Sequence, residues 1–255
     1  MEGYSNTQVH SLIDNLSKHY LPYGFEFYPF LTSWYNSKVT SVFELPYNPD
    51  TLAILAVSTP CMFENTFLPF LKNKPDPSNT RDPLDQAIIN KLQDINTILP
   101  DELKNIIILY DFELQPNRAP KILMQTAGHI SGAAYYYQRS DVPADTWSEG
   151  DNIYGVSMHP KYGGWFAFRA VIIIEHAIAP DLLPREPVDC VKASDRRIEL
   201  LNRFNKNWKD WTYRDMVDSI ERYSEDQKLY FGTLPSERGE VIKKILVSRN
   251  ERASS

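Results

Sequence analysis

The stretch KILMQTAGHISGAAYYYQRSDV, residues 121–142, gathers groups that suit one large ligand. Ala127, Gly128, Ser131, Gly132, Ala133 and Ala134 keep the backbone open to close approach. Tyr135, Tyr136 and Tyr137 then offer flat faces with polar tips. A strand would send these tyrosines to alternating faces, and a helix would fan them around its axis. His129 lacks a carboxylate two residues before it, because Ala127 stands there. A ligating histidine is commonly oriented by such a partner. His129 therefore reads as a hydrogen-bonded structural histidine, and His159, beside Pro160 at a turn, reads the same way.

Three arginines stand in unusual surroundings. Arg169 follows a run of aromatics in an expected strand, Arg214 follows Trp-Thr-Tyr, and Arg238 lies in PSERGE. An unpaired charge is costly to bury, and a guanidinium grips carboxylates through paired hydrogen bonds. With 33 Asp and Glu in the chain, ordinary salt bridges account for all three on composition alone. Familiar cofactor motifs are missing: there is no GxGxxG, no GxxxxGK[ST], no HExxH and no CxxC. Cys61 and Cys190 have no metal-ligand spacing, and GGWF at 163–166 reads as a tight turn.

The elements that must carry these residues follow from periodicity. Val9, Leu12, Ile13, Leu16 and Tyr20 predict an amphipathic helix over 7–20. Residues 24–36 read as extended with an interruption at Pro29, and TLAILAVS at 51–58 as a buried strand. Thr59 and Pro60 look like a helix start, and a further helix is expected from Leu84 to Leu99. NIIILYDFEL at 105–114 is strand-like. IYGVSMHPKYGGWFAFRAVIII reads as two strands joined as a hairpin at HPKYGG, with Arg169 and Phe168 on opposite faces. Residues 195–211 are helical, and more helix runs to about 250. Nothing divides the chain, so residues 1–255 read as one α+β domain: a central, mainly antiparallel sheet flanked by helices.

Bulk properties exclude several function classes. The net charge is −6 with no basic tract, which argues against nucleic acid. No apolar run reaches spanning length, the N-terminus has no apolar signal core, and a cytoplasmic location is the expectation. Fifteen Tyr, 12 Phe and 5 Trp are enough to line a pocket for a flat ligand as well as fill a core.

Several blocks taken together are more specific than any single motif. GFEFYPF with WYN, STPCMF with PFL, PNRAPKIL, QTAGHISGAAYYYQR, HPKYGGWFAFR, and DWTYRD with ERYSEDQK occur in this order. From about residue 20 to 238 they closely resemble the cobalamin-processing CblC (MMACHC) family. The resemblance implies a fold related to flavin-dependent nitroreductases. It implies removal of the upper axial ligand of cobalamin (vitamin B12): alkyl groups to glutathione, and cyanide by reduction with reduced FAD or FMN, sustained by NADP. It implies cobalamin held base-off, with the lower base tucked into the protein.

By matching position, the resemblance assigns Asp111, Ile122, Leu123, Met124 and Gln125 to cobalamin. Tyr136, Tyr137, Gln138, Ser157 and Phe168 complete that set. Serine at 157, where some family members have cysteine, brings no thiol role with it. Arg169, Arg214 and Arg238 match the arginines that hold glutathione, whose two carboxylates call for guanidinium groups. The resemblance further implies a glutathione-oxidising side activity, a downstream CblD-like trafficking protein as partner, and a ligand-dependent homodimer. Two rival readings stay open on the residues: a nitroreductase with flavin as its resident cofactor, and a cobalamin-carrying chaperone without chemistry.

Overall fold

The computed structural model describes residues 3–254. Its centre is a four-stranded antiparallel sheet in the order β1-β2-β6-β3. The strands are β1 Phe25–Leu31, β2 Thr51–Ser58, β3 Ile106–Tyr110 and β6 Ala167–Ile178. A separate two-stranded sheet pairs β4, Tyr135–Tyr137, with β5, Val156–Met158. The helices are α1 Asn6–Tyr20, α2 Thr32–Asn36, α3 Leu68–Lys72, α4 Pro83–Gln93, α5 Ile95–Ile98, α6 Met124–Ile130, α7 Ser194–Asn207, α8 Glu225–Gly232 and α9 Arg238–Ser254.

The sheet is buried on both faces, which explains the unbroken apolar run of β2: all eight of its residues are buried. One face carries Leu52, Ile54, Ala56, Ile172 and Ile174 against α1, α4 and the C-terminal helices. The other carries Ala53, Leu55, Val57, Val171 and Ile173 against Tyr35, Ile122 and Ala127. A third cluster joins Tyr137, Val156 and Met158 of the small sheet to Leu200 and Leu201 of α7. Helix α1 begins with a capping box: Ser5 Oγ accepts from the Gln8 N–H while the Gln8 side chain accepts from the Ser5 N–H.

Four sequence expectations are corrected. β5 and β6 are not a hairpin; β5 pairs with β4, and only a His159–Gly163 bridge marks the turn between them. Pro29 does not interrupt its strand, because β1 is at the sheet edge, where a missing N–H is tolerated, and Pro29 stays in register with Ile54. Thr59 does not cap a helix; its hydroxyl lies 3.2 Å from Cys61 Sγ, and Phe63–Phe67 winds as a π-helix. The helix expected over 84–99 breaks at Asp94 into α4 and α5. The C-terminal helical region of about 195–250 is present as α7, α8 and α9 with 3-10 turns between them.

Candidate functional site

The end of the sheet at which β2 and β3 finish and β6 begins carries a concentrated charge. Ala170 pairs with Ala56 and Phe168 with Val57, so Arg169 faces no residue of β2. Such a bulge bends the strand and re-aims a side chain. Arg169 is buried, and its Nε donates to Ser58 Oγ at 2.8 Å. Its Nη1 lies 3.6 Å from Asp111 Oδ2, while the Asp111 N–H donates to the Arg169 carbonyl at 3.0 Å. Burial pushes the Asp111 carboxyl up to about 6; Arg169 opposes that shift and Asp85 adds to it. Phe168, on the other side of the strand, lays its ring on Gly128 of α6. A Cβ at Gly128 would sit 2.2 Å from Phe168 Cζ, so only glycine permits this contact.

Arg238 and Asp85 share a cavity of about 320 Å³ between the segment leading into α4 and the start of α9. The Arg238 guanidinium lies 4.9 Å from the centre of the Tyr230 ring and donates from Nε to the Thr233 carbonyl at 3.1 Å. Burial raises the Asp85 carboxyl and Asp82 adds to this, while Arg169 and Arg238 pull it down. Arg169 and Arg238 therefore act on one carboxylate. Arg214 lies in a different surround, a box of aromatic rings. Its guanidinium is 5.6, 5.1, 5.1 and 5.0 Å from the ring centres of Trp165, Trp211, Tyr213 and Tyr223. It also donates to the Gly164 carbonyl, and its Nε is buried with no acceptor.

The stretch 121–142 resolves into α6, a tight turn and β4. Tyr136 and Ser157 are cross-strand partners and so face the same way. Ser157 Oγ is buried there without a hydrogen-bond partner. Tyr136 and Gln125 line a cavity of about 630 Å³, and Tyr136 and Gln138 line a neighbouring one of about 550 Å³. Tyr137 points the opposite way: fully buried, it donates to Asp189 at 2.7 Å and accepts from the Val191 N–H at 2.7 Å. Ile122 is buried in the core, and the Leu123 N–H donates to the Tyr35 hydroxyl at 2.9 Å. Met124, at the first turn of α6, packs beside Phe168 on the same sheet face.

The larger cavity has walls the sequence did not reveal: Tyr154, Phe204, Asn205, Trp208 and Tyr213. Asn205 accepts from the Tyr154 N–H at 2.8 Å and donates to the Tyr154 carbonyl at 2.9 Å, fixing the loop before β5 to α7. Tyr154 is 70 % and Trp208 51 % exposed, an unusual use of large rings unless something covers them. These residues are some 50 positions apart, and no local pattern links them.

His129 and His159 are both tied into the fold. His129 Nδ1 accepts from the Tyr136 N–H at 3.1 Å, and burial holds its pKa below the ordinary value. His159 Nδ1 accepts from the Lys161 N–H at 3.1 Å, so its proton is on Nε2 and points at the Tyr28 hydroxyl, 2.8 Å away. Tyr28 in turn donates to Glu26, which also accepts from Tyr162 and Lys161. Burial drives the His159 pKa down to about 4. This network ties the turn between β5 and β6 to β1.

The profile of the methylmalonic aciduria and homocystinuria type C family matches residues 24–242. The human cyanocobalamin reductase / alkylcobalamin dealkylase is 48 % identical over 234 residues, covering 92 % of this chain and 81 % of the relative. The chicken protein of the same name is 47 % identical over 221 residues, covering 87 % of this chain and 91 % of the relative. A crystal structure of a Caenorhabditis elegans B12-trafficking protein CblC superposes with a TM-score of 0.81 at 34 % identity, over 92 % of this chain and 96 % of that one.

Proposed function

The chain belongs to the methylmalonic aciduria and homocystinuria type C family, and on that premise we propose how its site processes cobalamin. The protein is an enzyme of the cyanocobalamin reductase / alkylcobalamin dealkylase type. The observation that carries the reading is the Asp111–Arg169 pair, where the residues matched to cobalamin meet those matched to a thiol peptide.

In this reading the corrin lies against the small-residue stretch after α6 and the β4–β5 face. Gln125, Tyr136 and Gln138 line its cavities, and the buried Ser157 hydroxyl gains a partner from the ligand. The detached lower base takes the aromatic cavity walled by Phe204, Trp208 and Tyr213. Cobalt receives no protein ligand: both ring nitrogens of His159 are engaged inside the fold, and His129, whose Nδ1 holds the Tyr136 N–H, has no carboxylate to orient it toward a metal. The loss of the lower ligand makes cobalt easier to reduce.

Glutathione is the co-substrate, held through its carboxylates by Arg169 and Arg238, with Arg214 fixing the Gly163–Gly164 turn from its aromatic box. In dealkylation the glutathione thiolate sulfur forms a bond to the alkyl carbon. The cobalt–carbon bond breaks, and its electron pair stays on the metal as Co(I). The protein positions the thiolate beside the Arg169 charge and excludes water.

Decyanation would draw on a reduced flavin, FAD or FMN recharged by NADPH, as the source of the electrons that release cyanide. A nitroreductase-like ancestry, a cytoplasmic location, a ligand-dependent homodimer, a CblD-like acceptor and some glutathione oxidation belong to the same reading. No helix among the described residues is long and apolar enough to cross a membrane.

The test is stoichiometric. Anaerobic incubation with methylcobalamin and glutathione should yield one S-methylglutathione for each cobalamin converted, by mass spectrometry. Unchanged methylcobalamin with the protein saturated would leave a carrier, and the dealkylation reading would fail.

A further inference from the structure

Of the charged residues that line the cavity beside Arg238, Arg81 and Asp82 pair with each other at 3.3 Å, whereas Asp85 and Arg238 do not. Among the described residues the Asp85 carboxylate accepts no hydrogen bond and closes no ion pair, although Arg169 and Arg238 both act on it and it lines the cavity together with Arg238 and Tyr230. Arg238 donates from Nε to the Thr233 carbonyl and lies against Tyr230, but it closes on no carboxylate. Nearby side chains behave differently. Arg249, on the same helix as Arg238, closes on Asp226 at 2.7 Å and on Glu64 at 3.2 Å. A purely structural Asp85 and Arg238 would be expected to close in the same way.

A carboxylate and a guanidinium that share a cavity without closing on each other complement a zwitterion. An α-amino acid head carries its ammonium and carboxylate on a single carbon, so it can satisfy both at once. We propose that Asp85 holds the α-ammonium of the γ-glutamyl residue of glutathione, beside the α-carboxylate on Arg238, and so selects thiols with a free amino acid head. This rests on the reading of Arg169 and Arg238 as the glutathione site.

The assignment orients the co-substrate. The charges run from Arg238 through Asp85 and Arg169 to Asp111, each acting on the next. The γ-glutamyl head sits at the cavity end of this series. The rest of the peptide, with its thiol, then extends toward Arg169 and the sheet end, where Asp111 belongs to the cobalamin set. Asp85 does not touch the reacting atoms, so its loss should appear in KM rather than in kcat.

The experiment compares glutathione with N-acetylglutathione, in which the γ-glutamyl amine is acylated and uncharged, as co-substrates for methylcobalamin dealkylation. The wild-type protein should show a KM about tenfold or more lower for glutathione, the size of a lost charge-assisted hydrogen bond. Asp85→Asn should raise the glutathione KM by a similar factor and leave that for N-acetylglutathione unmoved, so that discrimination disappears. Asp85→Glu should restore part of it. Equal KM values for the two thiols in the wild-type protein overturn the inference without any variant. So does an Asp85→Asn protein of normal melting temperature that still discriminates. If the wild-type protein turns over with neither thiol, the glutathione reading itself falls and takes this inference with it.

Discussion

Asp111 and Arg169 meet twice at the end of the sheet, backbone to backbone at 3.0 Å and carboxylate to guanidinium at 3.6 Å. The pair is not tight, and the carboxyl stays raised to about 6 despite its cationic neighbour, because burial outweighs the attraction. A carboxyl raised in the folded state contributes stability that is fully present below its unfolded value and is lost as pH rises through about 6. The side chain is still 31 % exposed, so screening trims the effect to about 1 kcal/mol. Asp111→Asn should remove this decline, which urea unfolding between pH 4 and 7.5 would register as a steeper gain of stability with pH than in the wild type.

Arg169→Gln removes the cation that both Asp85 and Asp111 feel. A hydrogen bond to a charged group contributes about 1.5–3 kcal/mol, so the glutathione requirement of dealkylation should rise about tenfold or more. Cobalamin affinity, measured by absorbance titration, should change much less. Equal losses in both quantities would place Arg169 in the fold rather than at the thiol.

Gly128→Ala forces a methyl group onto the Phe168 ring, which is held from another side by the Phe166 ring at 5.1 Å. Overpacking of this kind costs about 1–3 kcal/mol. Because α6 leads straight into the small-residue turn and β4, cobalamin affinity should fall together with the melting temperature. The double variant Gly128→Ala with Phe168→Leu should recover part of the stability, since it returns the space the methyl group takes.

His159 contributes with the opposite sign to Asp111. Its folded pKa of about 4 lies below its ordinary value, so its stabilising effect is complete above about 6.5 and is lost as pH falls toward 4. The side chain is only 1 % exposed, which puts the effect at roughly 3 kcal/mol, from about 1.4 kcal/mol per pKa unit. Glu26, Tyr28, Lys161, Tyr162 and Arg185 are the charged and titratable groups around it. His159→Gln, which keeps hydrogen-bonding capacity without titrating, should abolish the gain between pH 4 and 6.5. The Asp111 decline would then be exposed in the same window.

Much of the fold was legible because it rests on local periodicity. The apolar stripe of α1, the continuous run of β2 and the opposite facing of Phe168 and Arg169 could all be read from spacing. The pairing of β5 with β4 was not legible, since two three-residue strands leave no pattern that outweighs a neighbouring hairpin signal. The bulge at Arg169 was equally hidden; nothing in the local alternation distinguishes it from a regular strand position. At the site, the residues taken over from the family fall into several surrounds. Tyr136 and Ser157 face one way, Tyr137 the other, and Arg214 sits apart from Arg238 in its aromatic box. Tyr154, Asn205 and Trp208 escaped sequence reading because the wall they form exists only after α7 folds back on the loop before β5. Asp85 escaped for a related reason: it comes beside Arg238 only in the folded cavity.

The most direct test of the account is the visible absorbance spectrum of methylcobalamin bound to this protein, recorded without oxygen before and after glutathione is added. Bound methylcobalamin should show the base-off spectrum, identical in His129→Ala, which removes only the Nδ1 that accepts from the Tyr136 N–H. Added glutathione should then convert it to the spectrum of reduced cobalamin. A base-on spectrum, or a base-off spectrum that glutathione leaves unchanged, would contradict the account.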